Sequence, residues 1–370
     1  MSIELQFLPA RQGDAIWIRW PEGDRTRQIL IDMGTEEIGH AIRGRLEELP
    51  EAGRVFDLLV VTHVDRDHIG GVLTCLAEAD ERLAGLKFND VWFNGWEHLD
   101  GGKVPPPANS GTLEGMGPAQ GERLAHWLRE QPWNQAFDRG PVVRGSSLLT
   151  KRFGDLSLTI MGPTQDRLKN FKPVWKEEVE IALEKGRLEH VSPGLESYGP
   201  KVPPILESRE DLEELADERI KRDTSRANGS SIALLLEWKG RRVLLSGDAY
   251  ADDILQALKD LPGDQPVKLD AFKLPHHGSK KNLHDELVKA VDCPRFIFST
   301  DGTQFRHPDP VAIARVIRSS VREKPCLCFN VRSKYNGWWD NPEWIDAFNY
   351  QVEYGDDEQG CTLSLESASS

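Results

Sequence analysis

Short apolar runs, punctuated by glycine, proline and charged turns, recur along most of this chain. Ile3, Leu5 and Phe7 alternate with polar neighbours, Ala15–Ile18 and Gln28–Ile31 are continuous, and Pro21-Glu22-Gly23-Asp24 lies between them. This pattern predicts a meander of three strands over residues 3–34. Ile38, Ile42, Leu46 and Leu49 recur at helical spacing and predict a helix over 36–49. Phe56–Val61 is apolar at every second and intervening position but one, as in a strand buried on both faces. A helix over 69–79 and a strand over 91–94 follow. After residue 228 the pattern resumes. Ser231–Trp238 and Arg242–Asp248 are arms of a hairpin that turns at Lys239-Gly240. Helices are predicted over 254–261, 283–291 and 311–317. Strands are predicted over 271–274, 294–300, 326–331, 350–354 and 361–366. Strands alternating with helices place the chain in the α/β (α+β) class.

Two stretches interrupt the pattern. Residues 97–145 contain Gly101-Gly102 and Pro105-Pro106-Pro107, then an amphipathic helix over 120–131 stopped by Pro132. This segment reads as an insertion able to cover a site as a lid, or as a packing elaboration. Residues 165–226 are heavily charged and broken by prolines, with helical stretches near 174–186 and 208–222. They read as an exposed helical excursion, and Glu207–Glu214 as a solvated face. The remainder is expected to form one domain over 1–370 carrying these two inserts.

Composition narrows the class. The 370 residues are 39% hydrophobic and 29% charged, a soluble globular balance. No apolar run is long enough to span a bilayer, and the first residues lack the basic and apolar regions of a signal peptide. Five cysteines at scattered positions predict reduced thiols and a cytoplasmic location. Cys326-Leu-Cys328 places two thiols on one face of a strand and reads as buried core rather than a metal clip. The net charge of −14 opposes unaided binding of long nucleic acid. Any such contact must be a local patch, or the substrate is small.

The chemistry lies at strand ends. Val60-Val61-Thr62-His63-Val64-Asp65-Arg66-Asp67-His68-Ile69-Gly70-Gly71-Val72 packs His63, Asp65, Asp67 and His68 into one turn. The two carboxylates repel unless a cation lies between them. Asp248 ends the second hairpin arm, and His276-His277-Gly278-Ser279 follows the strand at 271–274. Strand ends are where α/β sheets assemble their sites. The donor set favours two ions, bridged by an aspartate, of a metal that accepts imidazole and carboxylate: Zn, Mn or Fe. Two ions about 3.5–4 Å apart polarise a phosphoryl oxygen and activate water, both of which serve hydrolysis. Asp32, after the strand at 28–31, is either a turn cap or a carboxylate that orients the metal loop. His307 either lines the site or caps the next helix. Lys273, Lys280 and Lys281, with Arg66 in the loop, form a candidate anion-attracting spot.

These motifs resemble the metallo-β-lactamase fold, an αββα sandwich of hydrolases. The usual family loop is His-x-His-x-Asp-His, whereas here Asp65 replaces the second histidine. That variant is similar to the hydrolase domain of the bacterial competence DNA-uptake channel (the ComEC branch) and to the choline-phosphate esterases of teichoic acid. Gln12-Gly13-Asp14-Ala15, Leu30–Gly34, Asn228–Ser231, Leu244–Asp248 and Leu274–Ser279 agree with it in order. The membrane channel is absent, so a free-standing soluble relative is implied. The resemblance assigns His63 and Asp65 to a first metal. It assigns Asp67, His68 and one of His276 and His277 to a second, with Asp248 bridging. Asn228 stands where many members have another histidine, which leaves the first site oxygen-rich and suited to Mn²⁺ as well as Zn²⁺. The other histidine of the pair orients a ligand or, with Ser279, serves the phosphate or leaving group. The implied activity is a dinuclear-metal phosphodiesterase or nuclease acting on DNA, restrained by a protein partner or a closed lid, and suited to DNA processing or bacterial defence. Two alternatives stand: a small-substrate esterase or cyclic-nucleotide phosphodiesterase, and a regulatory module with a structural metal.

Overall fold

A computed structural model describes residues 1–103, 117–185 and 198–368. The main strands are β1 (Ser2–Phe7), β2 (Ile16–Glu22), β3 (Arg25–Ile31), β4 (Leu58–Val60), β5 (Val91–Trp92), β6 (Thr150–Phe153) and β7 (Leu156–Gly162). They continue with β8 (Ala233–Trp238), β9 (Arg241–Leu245), β10 (Ala271–Lys273), β11 (Arg295–Phe298), β12 (Cys326–Phe329), β13 (Gln351–Tyr354) and β14 (Cys361–Glu366). The helices are α1 (Glu36–Glu48), α2 (Arg66–Val72), α3 (Pro118–Leu128), α4 (Gln165–Lys185) and α5 (Arg209–Ala216). Then come α6 (Arg226–Gly229), α7 (Ala251–Asp260), α8 (Asp285–Lys289), α9 (Pro310–Ser319) and α10 (Pro342–Phe348).

One sheet has the order β14-β1-β2-β3-β4-β5, and the other β13-β12-β11-β10-β9-β8-β7-β6. The two-residue period of a strand divides their side chains. Ile29, Ile31, Leu58 and Val60 meet Leu234, Leu236, Val243 and Leu245 in a core between the sheets. Leu30 and Leu59 turn outward onto Ile38, Ile42 and Leu46 of α1. Leu235, Leu244 and Phe272 turn outward onto Ile254 and Leu258 of α7 and Ile313 and Val316 of α9. Each central strand is therefore buried on both faces, which explains its continuous apolar sequence. The architecture is the αββα sandwich that the sequence resemblance implied.

Several elements depart from expectation. α2 begins at Arg66, earlier than predicted, because the Asp65 carbonyl accepts the His68 and Ile69 N–H groups at 2.9 and 3.1 Å. The helix then opens into a wider turn at Leu73–Ala77. α10, with Trp339 buried beside it, escaped the sequence reading. The charged stretch after 165 is not an exposed excursion. Leu168, Phe171 and Trp175 of α4 and Leu212 and Ala216 of α5 are buried in the two outer cores. Their period was obscured by the charged residues on the opposite faces. In the lid candidate, residues 104–116 lie outside the described residues, as do 186–197 of the second insert. The described part of the first packs Leu124, Leu128 and Trp133 onto the α1–α2 layer. Among the described residues, no helix is long and apolar enough to cross a membrane.

Candidate metal centre

The ends of β3, β4, β9, β10 and β11 converge at one end of the sandwich. There the two sheets are tied together by backbone. Ile232 N–H donates to the Thr62 carbonyl (2.9 Å), and Asp301 N–H to the Arg11 carbonyl (2.7 Å). Glycines allow the loops to touch without side chains between them. A Cβ at Gly13 would lie 1.7 Å from the Asp67 carbonyl oxygen, and one at Gly71 would lie 2.0 Å from that of Met33. This wedging brings α2, and with it His68, against the end of β3.

Asp248 is the centre of the cluster and is buried. Its Oδ2 lies 3.4 Å from His68 Nε2, 3.5 Å from His277 Nε2, 3.8 Å from His276 Nε2 and 3.9 Å from His63 Nε2. Asp67 Oδ2 is 3.6 Å from His277 Nε2, and Asp65 Oδ2 is 3.5 Å from His63 Nε2. Asp65 is the exposed lip of the group, with 38% of its side chain accessible.

Each imidazole is held from behind through Nδ1. His68 Nδ1 donates to Asp32 Oδ2 (2.7 Å), and His277 Nδ1 to the Ser299 carbonyl (2.8 Å). His276 Nδ1 donates to Asn282 Oδ1 (2.9 Å). Thr62 gives its hydroxyl proton to Asp32 Oδ2 (2.7 Å), so its oxygen accepts from His63 Nδ1 (3.1 Å). With every Nδ1 carrying a proton, four Nε2 lone pairs point at carboxylate oxygens. His63 Nε2 and Asp248 Oδ1 are buried without a hydrogen-bond partner. Such a cage repels itself unless a cation occupies it. The donors present therefore fit divalent metal, with an outer layer of the kind that fixes metal-bound histidines.

The backbone is bent to achieve this. Asp32, His276 and His277 have φ of 53°, 49° and 54°, a left-handed region that costs a residue with a side chain about 1 kcal/mol or more. Two consecutive residues in this state turn both rings of the pair onto Asp248.

Charges in the cluster are strongly coupled. Burial opposes ionisation of Asp248, but His277, His68 and His276 hold its carboxyl well below the usual range. Burial likewise disfavours the charged form of His68, yet Asp248 and Asp32 raise its imidazole well above its ordinary value. His277 is raised in the same way by Asp248 and Asp14. Without metal, protons on these rings therefore do the neutralising. Metal binding must expel them, so affinity falls as pH drops below the raised histidine values. Calorimetric Mn²⁺ or Zn²⁺ titrations at neutral pH in buffers of different ionisation enthalpy should show release of about one to two protons per chain. Buffer-independent heats would contradict this protonation scheme.

No family model matches the chain. A search of curated proteins found similarity to ComE operon protein 3 of Bacillus subtilis, 27% identical over 101 residues. The match spans 27% of this chain and 13% of that protein. Among solved structures, the metallo-β-lactamase fold protein YhfI of Bacillus subtilis is 10% identical, covering 98% of this chain and 100% of its own, at a TM-score of 0.40. CmlA, a diiron β-hydroxylase of Streptomyces venezuelae, is 12% identical, covering 85% of this chain and 47% of its own, at a TM-score of 0.36.

The structure brings His63, Asp65, Asp67, His68, Asp248, His276 and His277 together. Both histidines of the 276–277 pair face Asp248, where the sequence suggested one. Asp32 sits behind His68 and orients it. Asn228 lies behind His276: its Nδ2 is 2.7 Å from Asp223 Oδ2 and 3.3 Å from His276 Nδ1. His307 is buried beside His276, ring centroids 5.5 Å apart. Ser279 is buried in the turn, where its hydroxyl oxygen accepts the Lys281 N–H at 3.4 Å.

The proposed basic spot is not free to attract an anion. Lys273 does not reach solvent. It is fully buried, with Nζ against Asp14 Oδ2 and donating to the Gly247 carbonyl at 3.1 Å. Lys280 pairs with Glu218 (3.0 Å) and Arg66 with Glu36 (2.6 Å). Sequence reasoning missed the roles of Asp14, Asp223 and Asn282. Burial opposes the charge on Asp14, but Lys273 and His277 hold its carboxyl well below the ordinary value. Asp223 Oδ2 accepts from both Asn228 and Asn282, and so fixes the side chains behind His276. Only Asp14 carried a signal: an acid after a glycine at a strand end.

Proposed function

We propose that this protein is a metal-dependent hydrolase of phosphodiesters, with DNA as its substrate and two divalent ions as its cofactor. The observation that carries this reading is the convergence of four Nε2 atoms on the buried Asp248 carboxylate. His63 and Asp65 would hold one ion, Asp67, His68 and His277 the other, and Asp248 both, with His276 facing the same carboxylate. When bound, the ions supply positive charge for a phosphoryl oxygen and lower the pKa of water. The chain supplies the rest. Asp32, Thr62, Ser299 and Asn282 fix the tautomer and direction of each ring. Asp65, the more exposed of the two loop acids, sits on the open side, where a phosphodiester would enter. His307, buried beside His276, is the candidate to hand a proton to the leaving oxygen. The motif resemblance to the competence branch favours DNA.

A small phosphoester is a second reading, favoured by the net charge of −14 and by the pairing of Lys273, Lys280 and Arg66 with acids. Purified protein should be incubated with plasmid, single-stranded DNA and bis-p-nitrophenyl phosphate, each with Mn²⁺, Zn²⁺ or Mg²⁺. DNA cleavage that disappears in His68→Ala supports the proposal. Turnover of the small ester alone selects the second reading. Metal bound by elemental analysis without any turnover would leave only a binding role.

A further inference from the structure

Cys326 and Cys328 lie on β12 at the end of the sandwich away from Asp248. Leu327 and Phe329 point to the helices, so the two thiols point between the sheets. Burial in the core accounts for that much. It does not account for what faces them. Glu353 of β13 is in register with Cys328, and its Oε2 lies 3.8 Å from the Cys328 sulfur. The two sulfurs are 3.5 Å apart. Across the open edge, Cys361 begins β14 opposite Phe7 and packs against the same inter-sheet core. An apolar core has no use for an exposed carboxylate turned onto a thiol pair.

We propose that Cys326, Cys328 and Glu353, completed by solvent, form a second metal site that takes a thiophilic divalent cation of the Zn²⁺ class. The spacing supports it. A tetrahedral Zn²⁺ about 2.3 Å from two thiolates and about 2.1 Å from a carboxylate sets sulfur–sulfur and sulfur–oxygen separations of about 3.8 and 3.6 Å. The observed 3.5 and 3.8 Å are within a few tenths of these. A disulfide suits the pair less well. Residues two apart on an extended strand have Cα atoms about 6.6 Å apart, near the upper limit for that bond. Loading exchanges thiol protons, released to solvent, for the cation, with no change of oxidation state. The carboxylate at the rim gives the ion a path from solvent into an otherwise buried pair.

Cobalt distinguishes this site from the histidine–carboxylate cage, because only sulfur ligands give an intense near-ultraviolet charge-transfer band. Titration of the reduced protein with Co²⁺ is expected to produce that band, and Cys328→Ser to weaken it by about half or more. Glu353→Gln, an exposed change that leaves the core intact, should weaken Co²⁺ binding at the band at least about 10-fold. A wild-type protein without the band, or a band as strong in Cys328→Ser, overturns the site. If Cys328→Ser does not fold, Glu353→Gln decides: an unchanged titration overturns the proposal.

Discussion

Asp248→Asn is expected to lower the proposed phosphodiester hydrolysis on the order of 10³-fold and to leave the cage with little bound metal. The change is isosteric, so its effect is one of charge. Asp248 Oδ2 is the one atom that all four inward-facing Nε2 atoms approach, between 3.4 and 3.9 Å. An amide there offers one neutral oxygen or an NH₂ group aimed at imidazole lone pairs. Neither joins two cations. The Asp248 N–H, which donates to Ser231 Oγ at 3.0 Å, is untouched, so the turn itself should survive. The measurement pairs bis-p-nitrophenyl phosphate turnover with elemental analysis of the purified variant. Wild-type metal content with wild-type turnover would remove Asp248 from the centre.

Lys273→Met should destabilise the protein by about 3–5 kcal/mol, seen as a lowered urea midpoint. The lysine and Asp14 are both fully enclosed, and each is the other's main compensation. Removing the cation leaves a buried carboxylate between β10 and the 10–14 loop, 3.6 Å from His277 Nδ1. The double variant Lys273→Met with Asp14→Leu removes both charges and should regain much of the loss. An unchanged midpoint in the single variant would mean that water reaches the pair.

Much of the architecture was legible because the strands are buried on both faces and are joined by turns with clear chemistry. Lys239 and Gly240, with φ of 43° and 79°, make the hairpin turn that the sequence announced. The metal loop was legible because four donors lie within six residues. What the sequence concealed are contributions of single polar residues from distant segments. Asp223 and Asn282 lie in unremarkable polar stretches and matter only because folding places them behind His276. Lys273 was misjudged because a lysine beside metal ligands suggests substrate, whereas its place inside the strand Ala271–Lys273 buries it. α4 and α5 were misjudged because charge dominates their composition although one face of each is apolar.

The centre draws its parts from both halves of the sandwich. His63, Asp67 and His68 follow β4 of one sheet, and Asp248, His276 and His277 follow β9 and β10 of the other. Loaded with cations, it acts as a rivet through both halves. Unloaded, the same contacts depend on shared protons and repelling lone pairs. Metal supply would thereby bear on the stability of this end of the sandwich as well as on the protein's chemistry.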